Sequence, residues 1–227
     1  MYQVAAFREE RIEVMHALIR AHPLAMLVTN TGGALEADHL PLLIDPLPSP
    51  QGTLRGHVAR ANPLWRQVHG AGHEAGRETR YETEALVVFQ GPQVYVTPSW
   101  YPEKRATGKV VPTWNYAVVH ARGPLLIRDD RDWLRDLVSR LTRQQEADLP
   151  QPWGINDAPA DYIERMLGAI VGIEIPIHHI EGKWKVSQNR ADADRAGVVD
   201  ALTQRADPQA QAMAALVSER MANKRPV

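Results

Sequence analysis

The sequence predicts an α+β, mostly β protein, a β-barrel with added helices. Two observations carry this. Short apolar or alternating runs recur at hairpin spacing, and the helical segments among them do not alternate one for one with strands, as a doubly wound parallel sheet requires. No internal repeat or linker divides the 227 residues. One domain with a helical tail is the expected organisation. A chain of this length buries about 70% of its unfolded surface, so neither a disulfide nor a structural metal is needed to hold it together.

The elements follow in order. Ile12, Met15, Leu18 and Ile19 recur at helical spacing, predicting a helix over residues 8–21 that His22-Pro23 ends. LAMLVT (24–29), ALEADHLPLLI (34–44) and TLRGHV (53–58) predict strands, separated by turn residues at 30–33 and 45–52. Asn62-Pro63 is an N-cap followed by proline, opening a short helix through Val68. Residues 70–84 are glycine-rich and charged, an expected exposed loop. Residues 85–90 and 94–97 predict a hairpin around Gly91-Pro92, and residues 99–113 a long polar connection. Strand character resumes at 116–120 and 123–127. Trp133, Leu134, Leu137, Val138 and Leu141 mark a helix after the Asp129-Asp130 cap, and Ile163, Met166, Leu167 and Ile170 another after Pro159. Ile173, Ile175 and Ile177 alternate strictly, predicting a late strand. Beyond residue 191 the chain is helical, Ala-rich and of mixed charge.

Composition narrows the function classes. Lys+Arg number 26 against 27 Asp+Glu, a formal net charge of −1, which supplies no basic surplus for coating nucleic acid. Zero Cys removes disulfides, thiol catalysis and thiolate metal sites, so redox chemistry would have to come from a cofactor. No targeting segment or apolar run of about 20 residues is visible, so a cytoplasmic protein without a membrane span is expected. Six Trp and six Tyr accompany only two Phe; aromatics with a polar handle favour sites that are half apolar and half wet.

Several motifs are missing. The third glycine of Gly70-Ala71-Gly72-His73-Glu74-Ala75-Gly76 falls one residue late for a dinucleotide fingerprint. Gly108-Lys109 lacks the upstream glycine of a phosphate loop, and no G-x-S-x-G elbow occurs. His69 and His73 sit in the glycine-rich segment, and His178-His179 point to opposite faces of a strand, so no metal site is expected. Ala193 and Gly197 have helix-turn-helix spacing, but the flanking apolar pattern is poor and the region is not basic. A solvated helical tail is the better description.

Three polar clusters carry chemistry. Gly56–Pro63 runs from a strand into a helix N-terminus, where free N–H groups and Arg60 could seat a phosphate; a capped helix with an exposed arginine fits the same residues. Thr97–Lys104 and Val111–Tyr116 place two Trp-Tyr pairs among hydroxyls, an amide and a lysine, suiting a flat heteroaromatic ligand or a subunit interface. In Glu181–Asn189, Lys183 and Lys185 flank Trp184, so the lysines could face an anion while Trp184 packs inward; a basic edge strand is the alternative. Together they suggest a planar, phosphate-bearing ligand.

The motifs AHPLAMLVTN, EADHLPLLID, GHVARANPLW, LVVFQGPQVYVTPSWYP, VVPTWNYAVVHARG, GIEIPIHHIEGKWKVSQNR and ADRAGVV together resemble the PaiB-like family of FMN-binding negative transcriptional regulators. The resemblance spans residues 1–200 in motif order. It implies an FMN-binding split β-barrel with peripheral helices over residues 1–200 and a helical C-terminal tail over 201–227, forming a homodimer with FMN in clefts between subunits. By that analogy His57, Arg60 and Asn62 would lie near the phosphate or ribityl chain. Thr113, Trp114 and Asn115 would approach from the interface, and Lys185, Ser187 and Gln188 would sit on the late strand as the basic flavin contact. Two positions depart from the pattern. Met1-Tyr2-Gln3-Val4 lacks a proline, and Asp38 stands where Asn is common. A carboxylate would repel a phosphate, so Asp38 is left out of the site. DNA enters as a partner through the resemblance alone. The alternatives are an FMN-dependent oxidoreductase acting on a small molecule, or a flavin- or haem-binding module without turnover, with His120 or His178 as iron ligands.

Overall fold

A computed structural model describes residues 1–31, 33–68 and 83–222, with the backbone of 69–70. The expected loop at 70–84 falls largely outside the described residues. In chain order the strands are β1 (Arg8–Glu9), β2 (Leu24–Thr31), β3 (Ala34–Pro41), β4 (Leu43–Asp45), β5 (Thr53–Ala59), β6 (Glu84–Val96), β7 (Thr113–Pro124), β8 (Leu126–Arg128), β9 (Ile170–Pro176) and β10 (His179–Lys185). The helices are α1 (Ile12–Ala21), α2 (Leu64–Gly70), α3 (Glu103–Ala106), α4 (Arg131–Glu146), α5 (Ala160–Gly168), α6 (Asp192–Thr203) and α7 (Pro208–Ala222). The chain is thus α+β with antiparallel strand pairing, the split-barrel class that the sequence predicts.

The chain forms two compact units, one of Met1–Leu18, Gln90–Val119 and Glu181–Val227, the other of Ile19–Phe89 and His120–Ile180. In the second unit β4, β5, β9 and β8 form an antiparallel sheet in that order. Every interior residue of β9 is buried, Glu174 included. Arg55 pairs directly with Glu174 across the ladder. Its Nε donates to Glu174 Oε2 at 2.8 Å, and Arg128 on β8 donates to Oε1. Arg55 also pairs with Asp45 on β4, which Arg140 of α4 joins. A row of alternating charges therefore crosses all four strands. Helices α4 and α5 pack together through Leu134, Ile163 and Leu167, while Leu137 and Leu141 pack with Leu43. The Asp130 side chain caps α4 by accepting from Trp133 N at 2.7 Å, as the sequence predicts.

In the first unit the strand order is β1, β10, β7, β6. Glu9 is 3% exposed and accepts from the Arg11 backbone N–H, from its guanidinium, and from Arg220 of α7. Residues 8–9, expected as the start of the first helix, are instead the strand that carries this carboxylate. The region expected as a solvated tail holds α7, whose Ala210, Met213, Ala214 and Val217 are buried; α7 packs on α6.

One expectation needs correction. Gly91-Pro92 does not turn a hairpin: β6 runs straight through it for 13 residues. The alternation of buried and exposed residues slips by one at Gly91-Pro92, where both are buried, as at a bulge. The glycine serves close approach, since a Cβ there would meet Leu18 Cδ1 at 2.8 Å and the Ala117 carbonyl at 3.2 Å. Likewise β7 is one strand over residues that sequence spacing divides into a polar connection and two shorter runs.

Burial pushes the Glu174 carboxyl up, but the hydrogen bonds and charges of Arg128 and Arg55 outweigh it and hold it below its ordinary value. A carboxyl lowered in the folded state contributes stability that is present above its unfolded value and lost as pH falls through the folded one. Glu174→Gln is expected to cost about 3 kcal/mol at neutral pH. Denaturant titrations across pH should show that the difference from the parent protein shrinks below about pH 4.3.

Candidate functional site

Strand β10 alternates as its sequence requires: Trp184 is 3% exposed, while Lys183 and Lys185 share the opposite, half-buried face. Lys183 lies over the Tyr2 and Tyr116 rings, 5.7 Å from each centroid. Lys185 Nζ donates to Thr113 Oγ1 and to the Trp114 carbonyl at 2.6 Å, on the neighbouring strand β7. An ammonium has three N–H groups, so one remains for a ligand. Burial first, then repulsion from Lys183 and Arg190, pushes the Lys185 ammonium below the usual lysine range. An arriving anion offsets that lowering by favouring the charged form.

Past β10 the chain turns sharply. Ser187 has φ 65°, left-handed and costly for a residue with a Cβ. It is buried, and its Oγ accepts from Asn115 Nδ2 at 2.9 Å. Asn115 is 1% exposed, and its Oδ1 is buried without a hydrogen-bond partner. Gln188 folds back, accepting from Val186 N at 2.7 Å and donating to the Trp184 carbonyl. The turn delivers Arg190 over the Tyr101 ring, 4.8 Å from its centroid.

These residues converge on one cleft of about 90 Å³ whose lining includes Tyr101, Thr113, Asn115, Lys185, Ser187 and Arg190. It carries two cations and, among the described residues, no carboxylate. Trp114 contributes its carbonyl to Lys185, and its ring, 54% exposed, packs edge-on against Tyr95 at 6.0 Å. The two sequence motifs around Tyr101 and Gly197 also meet, since a Cβ on Gly197 would stand 2.2 Å from the Trp100 carbonyl. Asp194 of the same motif accepts from Glu103 N at 3.1 Å. Sequence reasoning missed Arg190, although it closes the quoted run KWKVSQNR. It also placed Ser187 and Gln188 on the strand, which ends at Lys185.

The remaining three predicted residues belong to the other unit, and two of them, Arg60 and Asn62, are engaged within it. Arg60 donates to Asp129 through both terminal nitrogens and to the Gly168 and Ile170 carbonyls, using four of its five N–H groups. Asn62 Oδ1 accepts from Leu64 N at 2.9 Å, and its Nδ2 donates to Asp38 at 2.9 Å. Asp38 thus orients Asn62. Burial lowers the His57 imidazole below its ordinary value, leaving it neutral at pH 7, and its Nδ1 is buried without a partner. Among the described residues no cluster of His, Asp or Glu could hold a metal ion, and no helix is long and apolar enough to cross a membrane.

The donor set fits FMN: two cations suit a phosphate monoester, and the unpartnered Asn115 Oδ1 suits a ribityl hydroxyl. Fold and cleft together define a split-barrel protein of flavin-binding type. The chain belongs to the family described as "Putative FMN-binding domain", whose model matches residues 1–179, and FMN is the cofactor of that assignment. Lys185, Ser187 and Gln188 follow that match, but relatives extend over them. An uncharacterized protein of Emericella nidulans is 34% identical over 244 residues, covering 97% of each chain. The protease synthase and sporulation protein PAI 2 of Bacillus subtilis is 28% identical, covering 97% of this chain and 98% of its own. Among solved structures, the FAD and heme binding protein of Mycobacterium smegmatis shares the fold with a TM-score of 0.57 at 16% identity, over 83% of this chain and 78% of that one.

The left-handed turn is testable. Ser187→Ala loses the Asn115 bond and keeps the strain, whereas Ser187→Gly loses the bond and relieves it. The glycine variant should be more stable than the alanine variant by about 1 kcal/mol in denaturant titration.

Proposed function

We propose that the protein is an FMN-binding negative transcriptional regulator of the PaiB-like type, a homodimer with the flavin phosphate on Lys185 and Arg190 and the ring covered by the second copy. The single observation behind it is the cation-lined cleft. Its 90 Å³ accommodates a phosphate but falls far below the roughly 300 Å³ at which small-molecule sites begin. The isoalloxazine must therefore rest on surface outside the cleft. The exposed Tyr95–Trp114 pair borders it on β6 and β7 and suits a partner face rich in aromatics.

When bound, FMN supplies one- and two-electron chemistry. The chain's part is to hold and orient. Thr113 and the Trp114 carbonyl aim the Lys185 ammonium, Ser187 fixes the Asn115 amide, and Arg190 is steadied on Tyr101. The regulatory output runs through flavin binding rather than through α6 and α7 reading DNA. Arg195 of α6 is 2% exposed, and Arg220 of α7 is engaged by Glu9, so these cations do not face a phosphate backbone.

Lys185→Ala is expected to weaken FMN binding about 10- to 100-fold by fluorescence titration. Trp114→Asp should shift the mass measured by light scattering from dimer to monomer. Unchanged affinity in the first variant, or an unchanged dimer in the second, would count against the respective half of the reading. Because Lys185 carries a lowered ammonium pKa, FMN affinity should fall as pH rises from neutrality toward the ordinary lysine value of about 10.4, and Lys185→Ala should flatten that profile. A gel-shift series with the protein's own upstream DNA should show no sequence-preferring, salt-sensitive complex.

A further inference from the structure

A second recess lies within the unit formed by Ile19–Phe89 and His120–Ile180. Helix α4 buries Leu134, Leu137 and Leu141, which leaves Arg135, Ser139, Thr142, Arg143 and Glu146 at spacings of four, three, one and three along another face. A polar helix face ordinarily meets water. Here residues 152–156 lie across it and bound a cavity of about 510 Å³, within the roughly 300–1,000 Å³ of small-molecule sites.

The covering segment is held deliberately. Glu146 Oε2 accepts from Trp153 N at 2.9 Å, and Asp157 Oδ2 accepts from Gly154 N at 2.7 Å. Pro150 and Pro152 restrict the backbone that leads into it. Arg131 and Arg135 both reach Glu164 of α5, fixing α4 beneath. These bonds use one oxygen of Glu146 and one nitrogen of Arg135. They leave Arg143 without an ion pair and the Thr142 and Asn156 side chains without a hydrogen-bond partner among the described residues. Trp153 is 45% exposed and stacks on no other aromatic ring among those residues.

The recess therefore offers a half-exposed indole, a guanidinium without an ion pair and two neutral polar groups, with one oxygen of its carboxylate turned to Trp153 N. A guanidinium fork matches carboxylate and phosphate oxygens bidentately, and an indole face accepts a flat ring. We infer that this cavity binds a small aromatic anion, its ring against Trp153 and its acid group on Arg143. The site shares no residue with the Lys185 cleft and does not depend on the flavin reading.

Calorimetric titration of the full-length protein, with saturating FMN in cell and syringe, tests it with 1-naphthyl phosphate, 2-naphthoate, 2-naphthol and inorganic phosphate. Both aromatic anions should bind saturably, and 2-naphthol and inorganic phosphate at least about tenfold more weakly. Arg143→Gln, on an exposed helix position that tolerates the change, and Trp153→Ala should each weaken the anions about tenfold, while Lys185→Ala leaves them unchanged. No saturable binding, binding indifferent to both substitutions, inorganic phosphate binding as tightly as its naphthyl ester, or loss on Lys185→Ala would each overturn the inference.

Discussion

Glu174 sits between Ile173 and Ile175 in a strand whose interior residues are all buried, and a lone carboxylate there would cost several kcal/mol. The four-stranded sheet is arranged around that cost. Arg55 must lie opposite Glu174 and Arg128 diagonal to it, which sets the register of β5 and β8 on β9. A slip of one residue would turn either arginine to the other face and leave the carboxylate alone. Asp45 then balances Arg55, and Arg140 balances Asp45, so the same chain of charges places α4 on the sheet. The recess roofed by Trp153 exists because α4 is held there.

Much of this architecture was legible in local pattern. The Asp130 cap, the Asn62 cap and the alternation of Lys183, Trp184 and Lys185 follow from spacing and side-chain chemistry alone. What escaped was set by partners far away in sequence. Gly91-Pro92 carries the signature of a turn, yet its glycine is needed by Leu18 and Ala117. Arg60 has the setting of a phosphate ligand, but Asp129, Gly168 and Ile170 claim it from 69 to 110 residues away. Glu9 has the composition of a helix start until Arg220 reaches it. Short-range rules report what a residue prefers and say nothing of which distant group competes for it.

The candidate site shows the same division. Lys185, Thr113, Asn115 and Ser187 lie in two motifs 72 residues apart, and the pairing of β7 with β10 is what unites them. Arg190 joins through a turn that Ser187 must enter with an unfavourable backbone. A bound anion would favour the charged form of the partly desolvated Lys185 ammonium beside that turn. Family membership and cleft chemistry overlap on the chain: Tyr101, Thr113 and Asn115 lie within the residues that match the family, and Lys185, Ser187 and Arg190 follow them.

The bond between Glu9 and Arg220 also has a consequence for how the molecule comes into being. The unit containing the cleft is assembled from three separated stretches of chain, and its last helix is translated 211 residues after the carboxylate it must meet. Synthesis runs from the N-terminus at about 5–20 residues per second. The first strand therefore waits some tens of seconds, its acid short of one arginine, until α7 leaves the ribosome. The cleft beside Lys185 draws on the second and third of those stretches, Tyr101 to Asn115 and Lys185 to Arg190, so its walls come together only after the residues following β10 have been made.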